Sequence, residues 1–175
     1  MSIHTRRATV FDLDAIEAIY DRIHDECERG RACTGWIRGV YPTRATAQAA
    51  LERGDLFAQE ADGRVAGCAI INQAQVETYR RAHWTHDAPD DQVMVLHTLV
   101  VDPAVRGRGL GTAFVAFYER YALERGCRFL RMDTNARNAG ARRLYKRLGY
   151  TETGILPCEF NGIPGVNLVM LEKAL

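Results

Sequence analysis

No stretch of the 175 residues approaches the roughly 18–20 consecutive apolar positions that a membrane-spanning helix needs, so no membrane partner is expected. The first residues, Met1-Ser2-Ile3-His4-Thr5-Arg6-Arg7, lack the apolar run of a signal peptide, and a cytoplasmic protein is expected. Cysteine is sparse and odd in number: Cys27, Cys33, Cys68, Cys127 and Cys158 are widely spaced and form no C-x-x-C. That spacing suggests neither a disulfide framework nor a zinc ribbon, and the five read as reduced thiols. His83-x-x-His86 has no third ligand at a recognisable spacing, so no metal is expected. Internal repeats, linkers and low-complexity segments are all missing, which leaves one α/β domain over residues 1–175. There is also no Gly-Lys-Ser/Thr, without which a Walker A loop cannot be built.

What is present is an ordinary core-forming composition, 47% hydrophobic and 26% charged, with a net charge of +1. That small net charge hides an asymmetry. Between Asp102 and Arg147 there are eleven Lys/Arg against four Asp/Glu, whereas the rest of the chain holds twelve against eighteen. A basic segment in a near-neutral protein suits a localised anionic ligand or a solvated helix face. Nucleic acid is not expected, because the segment lacks interleaved aromatics on which bases could stack.

Hydrophobic periodicity predicts a strand from Ile3 to Val10 and a helix after Asp12, its N-cap, ended by Gly30. A loop to Thr43 and a short helix from Arg44 to Arg53 follow. Strands Leu56–Gln59 and Val65–Asn72 flank the turn dipeptide Asp62-Gly63. Gln75 to Gln92 has no period. Val93 to Val101 is a continuous apolar run broken only by His97 and Thr98, as expected of a strand covered on both faces. A helix with Leu110, Ala113, Phe114, Phe117 and Tyr121 inward, a strand Arg128–Thr134, a helix Asn138–Leu148 and strands near Thr151–Leu156 and Val166–Glu172 complete the pattern.

The turn after the apolar strand carries the chemistry. Arg106-Gly107-Arg108-Gly109-Leu110-Gly111-Thr112 opens directly into a helix, whose first N–H groups and dipole favour an anion. Gly107, Gly109 and Gly111 allow close approach of the backbone to a phosphate, and Arg106 and Arg108 add charge. A Rossmann turn would need G-x-G-x-x-G after the first strand; here the pattern is G-x-G-x-G and lies past mid-chain.

R-x-x-G-x-G after a strand ending in Val-Asp-Pro resembles the acetyl-CoA pyrophosphate loop of the GNAT N-acetyltransferases. Asn138-x-x-Ala141-x-x-Leu144-Tyr145-x-x-Leu148-Gly149-Tyr150 is similar to the family's second motif, with Tyr150 where Phe is usual. The resemblance implies an α/β GNAT fold with a mixed, mostly antiparallel sheet of six or seven strands. That sheet would splay at a central parallel pair and carry about four helices. It implies acetyl-CoA as cosubstrate and a small-molecule amine acceptor, with a homodimer as one assembly known among relatives.

By the same resemblance, the backbone of Leu99, Val100 and Val101 would meet the pantetheine arm together with Asn138. The N–H groups of Arg106 to Thr112 would hold the pyrophosphate. Tyr145 occupies the family's general-acid position near the CoA sulfur; the alternative is an aromatic packed on the sheet. Strand alternation puts His97 beside Val95, Leu99 and Val101, where an imidazole of ordinary pKa about 6.5 suits removal of an amine proton. A hydrogen-bonded core histidine is the competing reading. The run Leu96 to Val101 also resembles the corresponding strand of arylalkylamine N-acetyltransferases, although Val95 stands where those have a second histidine.

Trp36 and Tyr41 in the first-helix loop, and Glu77, Tyr79 and Trp84 in the aperiodic segment, are candidate acceptor contacts, or else loop anchors or interface residues. Arg29, Arg31, Arg38 and Arg44 around the loop would favour an anionic acceptor unless they form a solvated face. Two further functions fit the same motifs: an acyl-CoA-binding regulatory module without turnover, and a protein lysine or N-terminal acetyltransferase.

Overall fold

Two turns show how local backbone chemistry sets the topology. Asp62 (φ 51°) with Gly63 (φ 77°), and Asn161 (φ 49°) with Gly162 (φ 80°), adopt the paired left-handed conformation that matches the twist of a tight hairpin. The second dipeptide makes the last two strands longer than the sequence pattern suggests. The computed structural model describes residues 2–175, with strands β1 (Ile3–Arg7), β2 (Leu56–Ala61), β3 (Arg64–Asn72), β4 (Val93–Val101), β5 (Phe129–Asn135), β6 (Thr151–Phe160) and β7 (Ile163–Ala174). The helices are α1 (Leu13–Glu28), α2 (Arg44–Arg53), α3 (Leu110–Glu124) and α4 (Ala139–Arg147). One seven-stranded sheet runs in the order β1-β2-β3-β4-β5-β7-β6, antiparallel throughout except for β4 and β5. Among the described residues no helix is long and apolar enough to cross a membrane.

Some boundaries differ from the sequence pattern. β1 ends at Arg7, and a 3-10 turn over Val10–Asp12 leads into α1. Asp12 stands at the N-cap position of α1, but its side chain makes no capping bond: the carboxylate accepts instead from the Thr9 N–H (2.7 Å) and from both terminal nitrogens of Arg6 (2.8 and 2.9 Å). It thereby ties β1 to α1. In α3 the fully buried positions are Leu110, Phe114, Val115, Tyr118 and Ala122, with Phe117 and Tyr121 only partly covered. The buried stripe is thus rotated toward Tyr118, whose hydroxyl donates to the Met94 carbonyl at 2.6 Å.

The core lies on both sides of β4. Met94 and Leu96 pack under α3 and α4 with Phe114, Tyr118, Leu130 and Tyr145. Val93 and Val95 face the opposite way, against Tyr79, Leu168 and Met170. The parallel ladder runs from Val93–Phe129 to Leu96–Met132 and stops there, although β4 continues to Val101 and β5 to Asn135. Beyond that point the two strands diverge. A second irregularity sits at the same level: Thr98 has φ 51°, and Thr98 and Leu99 together stand opposite the single residue Ala69 of β3. This β-bulge inverts the side-chain alternation of β4.

Candidate active site

The wedge between β4 and β5 holds a cavity of about 770 Å³ whose walls come from both faces of the sheet. Leu96, Leu99, Asn138 and Tyr145 line it from the α3/α4 side; Trp36, Tyr41 and Phe160 line it from the other. Val100, Val101, His97, Thr98 and Asp133 complete the strand walls.

Asp133 is the acidic group of this cavity, and the sequence reading overlooked it. Loss of solvation between the cavity walls pushes its carboxyl up to about 6, and the hydrogen bond from the Tyr79 hydroxyl (2.8 Å) opposes that rise. Arg131, Asp133 and Asn135 alternate on one central parallel strand, and polar residues there are unusual enough to have been a signal. Tyr145, on α4, is 7% exposed, and burial followed by the nearby Asp133 raises its phenol well above the ordinary value. It therefore stays protonated and can donate.

The bulge separates residues that simple alternation had grouped together. His97 stays on the Val95 face, whereas Leu99 packs into the α3/α4 core and Val101 packs near Leu110. His97 Nε2 lies 2.9 Å from Asn72 Oδ1, and Asn72 Nδ2 donates to Asp55 at 2.8 Å. Desolvation lowers the imidazole to about 4, so it is neutral at physiological pH. Tyr41 bonds the Thr98 hydroxyl, and burial pushes its own phenol up to about 12.

The glycine loop continues from the cavity end of β4. Asp102 anchors it by accepting from Arg22 (2.9 and 2.8 Å) and from the Ala104 N–H (3.0 Å). The first α3 backbone bond is Ala113 N–H to the Gly109 carbonyl (2.9 Å), which leaves the N–H groups of Leu110, Gly111 and Thr112 without an intrahelical acceptor. Gly107 (φ 81°) and Gly109 (φ 77°) have open space where a side chain would stand. Gly111 serves packing instead, since a Cβ there would come within 3.2 Å of Leu144.

Arg106 is turned away to Glu26 (2.8 Å), a carboxylate that Arg31 and Arg106 hold down at about 2, while Arg108 is exposed. The residues Arg106 to Thr112 do not form part of the cavity wall. Asn138 lines the cavity, but its side chain also caps α4 by accepting from Ala141 N–H at 3.2 Å.

The remaining candidates separate clearly. Trp36 and Tyr41 meet edge to face (5.9 Å), and Tyr41 does the same with Phe160 (5.5 Å), which sequence reading had not singled out. Glu77 is on the surface, beside Arg80 at 3.4 Å, and does not line this cavity. Tyr79 reaches the site through Asp133, and Trp84 braces Tyr79 by donating to its carbonyl (3.0 Å) while stacking on Arg131. Arg31, Arg38 and Arg44 are paired with acids of α1. Among the described residues, no group of three or more His, Cys, Asp and Glu side chains is arranged to hold a metal.

The family described as "Acetyltransferase (GNAT) family" matches residues 16–150. An uncharacterised N-acetyltransferase of Methanocaldococcus jannaschii is 36% identical over 74 residues, 42% of this chain and 33% of that protein. An aminoglycoside N(6')-acetyltransferase type 1 of Salmonella typhimurium is 27% identical over 73 residues, 42% of this chain and 50% of that one. The chain thus matches half or less of the length of these curated relatives. Among solved structures, a Salmonella typhimurium protein assigned as an acetyltransferase, with its cofactor acetyl-CoA, superposes with a TM-score of 0.70 at 20% identity, covering 100% of this chain and 95% of that one.

Proposed function

The chain belongs to the GNAT acetyltransferase family, and we propose that it moves an acetyl group from acetyl-CoA to the primary amine of a small molecule by direct attack in a ternary complex. The observation that carries this reading is the pairing of a cavity carboxyl near neutral pKa with a protonated buried tyrosine, Asp133 and Tyr145, in the wedge between β4 and β5. The wedge and glycine loop fit the cosubstrate. β4 beyond Leu96 has no β5 partner, and Leu110 to Thr112 present unpaired N–H groups to an anion. Bound there, the thioester supplies an activated acetyl carbonyl.

The protein's own groups manage the protons. Asp133 accepts a proton from the acceptor ammonium; the neutral amine that results then forms its bond to the carbonyl carbon, and the second proton it sheds on becoming an amide replaces the one that Tyr145 gives up. As the C–S bond breaks, the Tyr145 hydroxyl donates to the departing thiolate. His97, neutral and hydrogen-bonded to Asn72, shapes the acceptor side instead of taking the proton.

The test is free-thiol release from acetyl-CoA across an amine panel, with Asp133→Asn and Tyr145→Phe alongside. Acetyl-CoA at about 100 times its Kd should raise stability by about 2.7 kcal/mol. Both variants should keep that shift and lose turnover by about 100-fold or more. Full turnover in either variant sinks its assigned role, and an unmoved Tm with acetyl-CoA sinks the whole reading.

A further inference from the structure

We propose that the acceptor is a primary monoamine with an uncharged, apolar or aromatic body, an inference that rests on the acetyl-transfer reading above. Its basis is charge compensation. Of the residues lining the cavity, Asp133 and Arg53 are the two of Asp, Glu, Lys or Arg type. Arg53 is already committed: its Nε and a terminal nitrogen bond both oxygens of Asp55 at 3.0 and 3.1 Å. Asp55 in turn accepts from Asn72. Asp133 has a phenol as its partner and no cation. One uncompensated carboxyl therefore faces the acceptor, and it matches a single ammonium.

A single uncompensated carboxyl disfavours two other acceptor classes. A polyamine or aminoglycoside would bring further ammonium groups into the cavity, each losing water without a counter-charge. A zwitterionic amino acid would need a free cation for its carboxylate. Arg53 is neutralised by Asp55, and on the neighbouring loop Arg31 pairs with Glu26, Arg38 with Asp25 and Glu28, and Arg44 with Asp14 and Glu17, while Arg29 does not line the cavity. The walls suit an apolar body. Trp36, Tyr41 and Phe160 form a run of edge-to-face rings, and the polar tip of Tyr41 is occupied by Thr98, leaving ring surface to the ligand.

Calorimetry on the full chain with saturating CoA, which supports no transfer, reads this preference separately from catalysis. The probes are 2-phenylethylamine, phenylalanine, spermidine and kanamycin. We expect 2-phenylethylamine to bind at least tenfold more tightly than the others and, with acetyl-CoA, to give the highest kcat/KM for thiol release. Asp133→Asn should erase the discrimination between 2-phenylethylamine and the uncharged 2-phenylethanol. Phe160→Ala, checked for an unchanged fold by its circular dichroism, should weaken 2-phenylethylamine about tenfold without moving the KM for acetyl-CoA. Tighter binding or faster turnover of phenylalanine, spermidine or kanamycin overturns the proposal, as does the absence of 2-phenylethylamine binding. Binding in the expected order without thiol release from any amine supports the pocket assignment and overturns acetyl transfer.

Discussion

Replacing Tyr79 with Phe deletes one oxygen and tests the electrostatics of the site from its far side. Tyr79 is 2% exposed and packs against Trp84 with ring centroids 5.2 Å apart, so the Phe ring leaves no cavity. What disappears is the 2.8 Å bond to Asp133 Oδ2. A hydrogen bond to a charged group contributes about 1.5–3 kcal/mol, and each 1.36 kcal/mol is about one pKa unit, so the loss amounts to about 1–2 units. The bond favours the ionised carboxylate, so its removal favours the protonated form. Asp133 then titrates at about 7–8 instead of about 6. The acid limb of kcat/KM, which reports the free enzyme, should move up by the same amount. At pH 6.5 the variant should be roughly three- to twenty-five-fold slower and should converge on the parent above pH 9. The assay is thiol release with the best amine at subsaturating concentration, from pH 5 to 9.5. An unmoved acid limb in a variant of unchanged Tm would refute the assignment of Asp133 as proton acceptor.

Further outcomes follow from the same geometry. His97→Gln should leave the acid limb near pH 6 in place, because the imidazole is already neutral above about 4; disappearance of that limb would return the base role to His97. Asp133 binds its proton more tightly in the native state, about 6 against an ordinary 3.8, so stability present below 3.8 is lost as pH rises through 6. Asp133→Asn should therefore gain on the order of 3 kcal/mol at pH 7.5 and little at pH 4 in urea melts, while losing activity. Gly35 has φ 76°, and a Cβ there would overlap the Asn135 side-chain amide. Gly35→Ala should displace the Trp36 loop and raise the acceptor KM several-fold with the acetyl-CoA KM nearly unchanged. Gly109→Ala, at φ 77° before α3, should do the reverse and weaken acetyl-CoA about tenfold, the strain being about 1–2 kcal/mol; equilibrium binding of CoA checks it.

Much of this protein is legible along the chain. Asp62-Gly63 marks a hairpin, the apolar run from Val93 to Val101 marks a strand covered on both faces, and the loop from Arg106 to Thr112 marks a helix opening on an anion. Asn161-Gly162 is a turn signal of the same kind, and it carries the last two strands up to Phe160 and Ile163. Asp133 left a weaker trace, a charge alternating along a strand otherwise destined for the core.

Periodicity, turn dipeptides and motif spacing act through bonds between neighbours, so the sequence by itself determined the element order, the glycine loop and the family. The tertiary structure decided the rest, because register and charge compensation depend on partners far along the chain. The two-for-one pairing of Thr98 and Leu99 against Ala69 puts His97 and Leu99 on opposite faces. Arg106 is neutralised by Glu26, eighty positions away. Asp133 obtains its one hydrogen-bond donor from Tyr79, 54 positions back. A backbone bulge in one strand and an uncompensated carboxyl in the next are set only when the sheet closes around them.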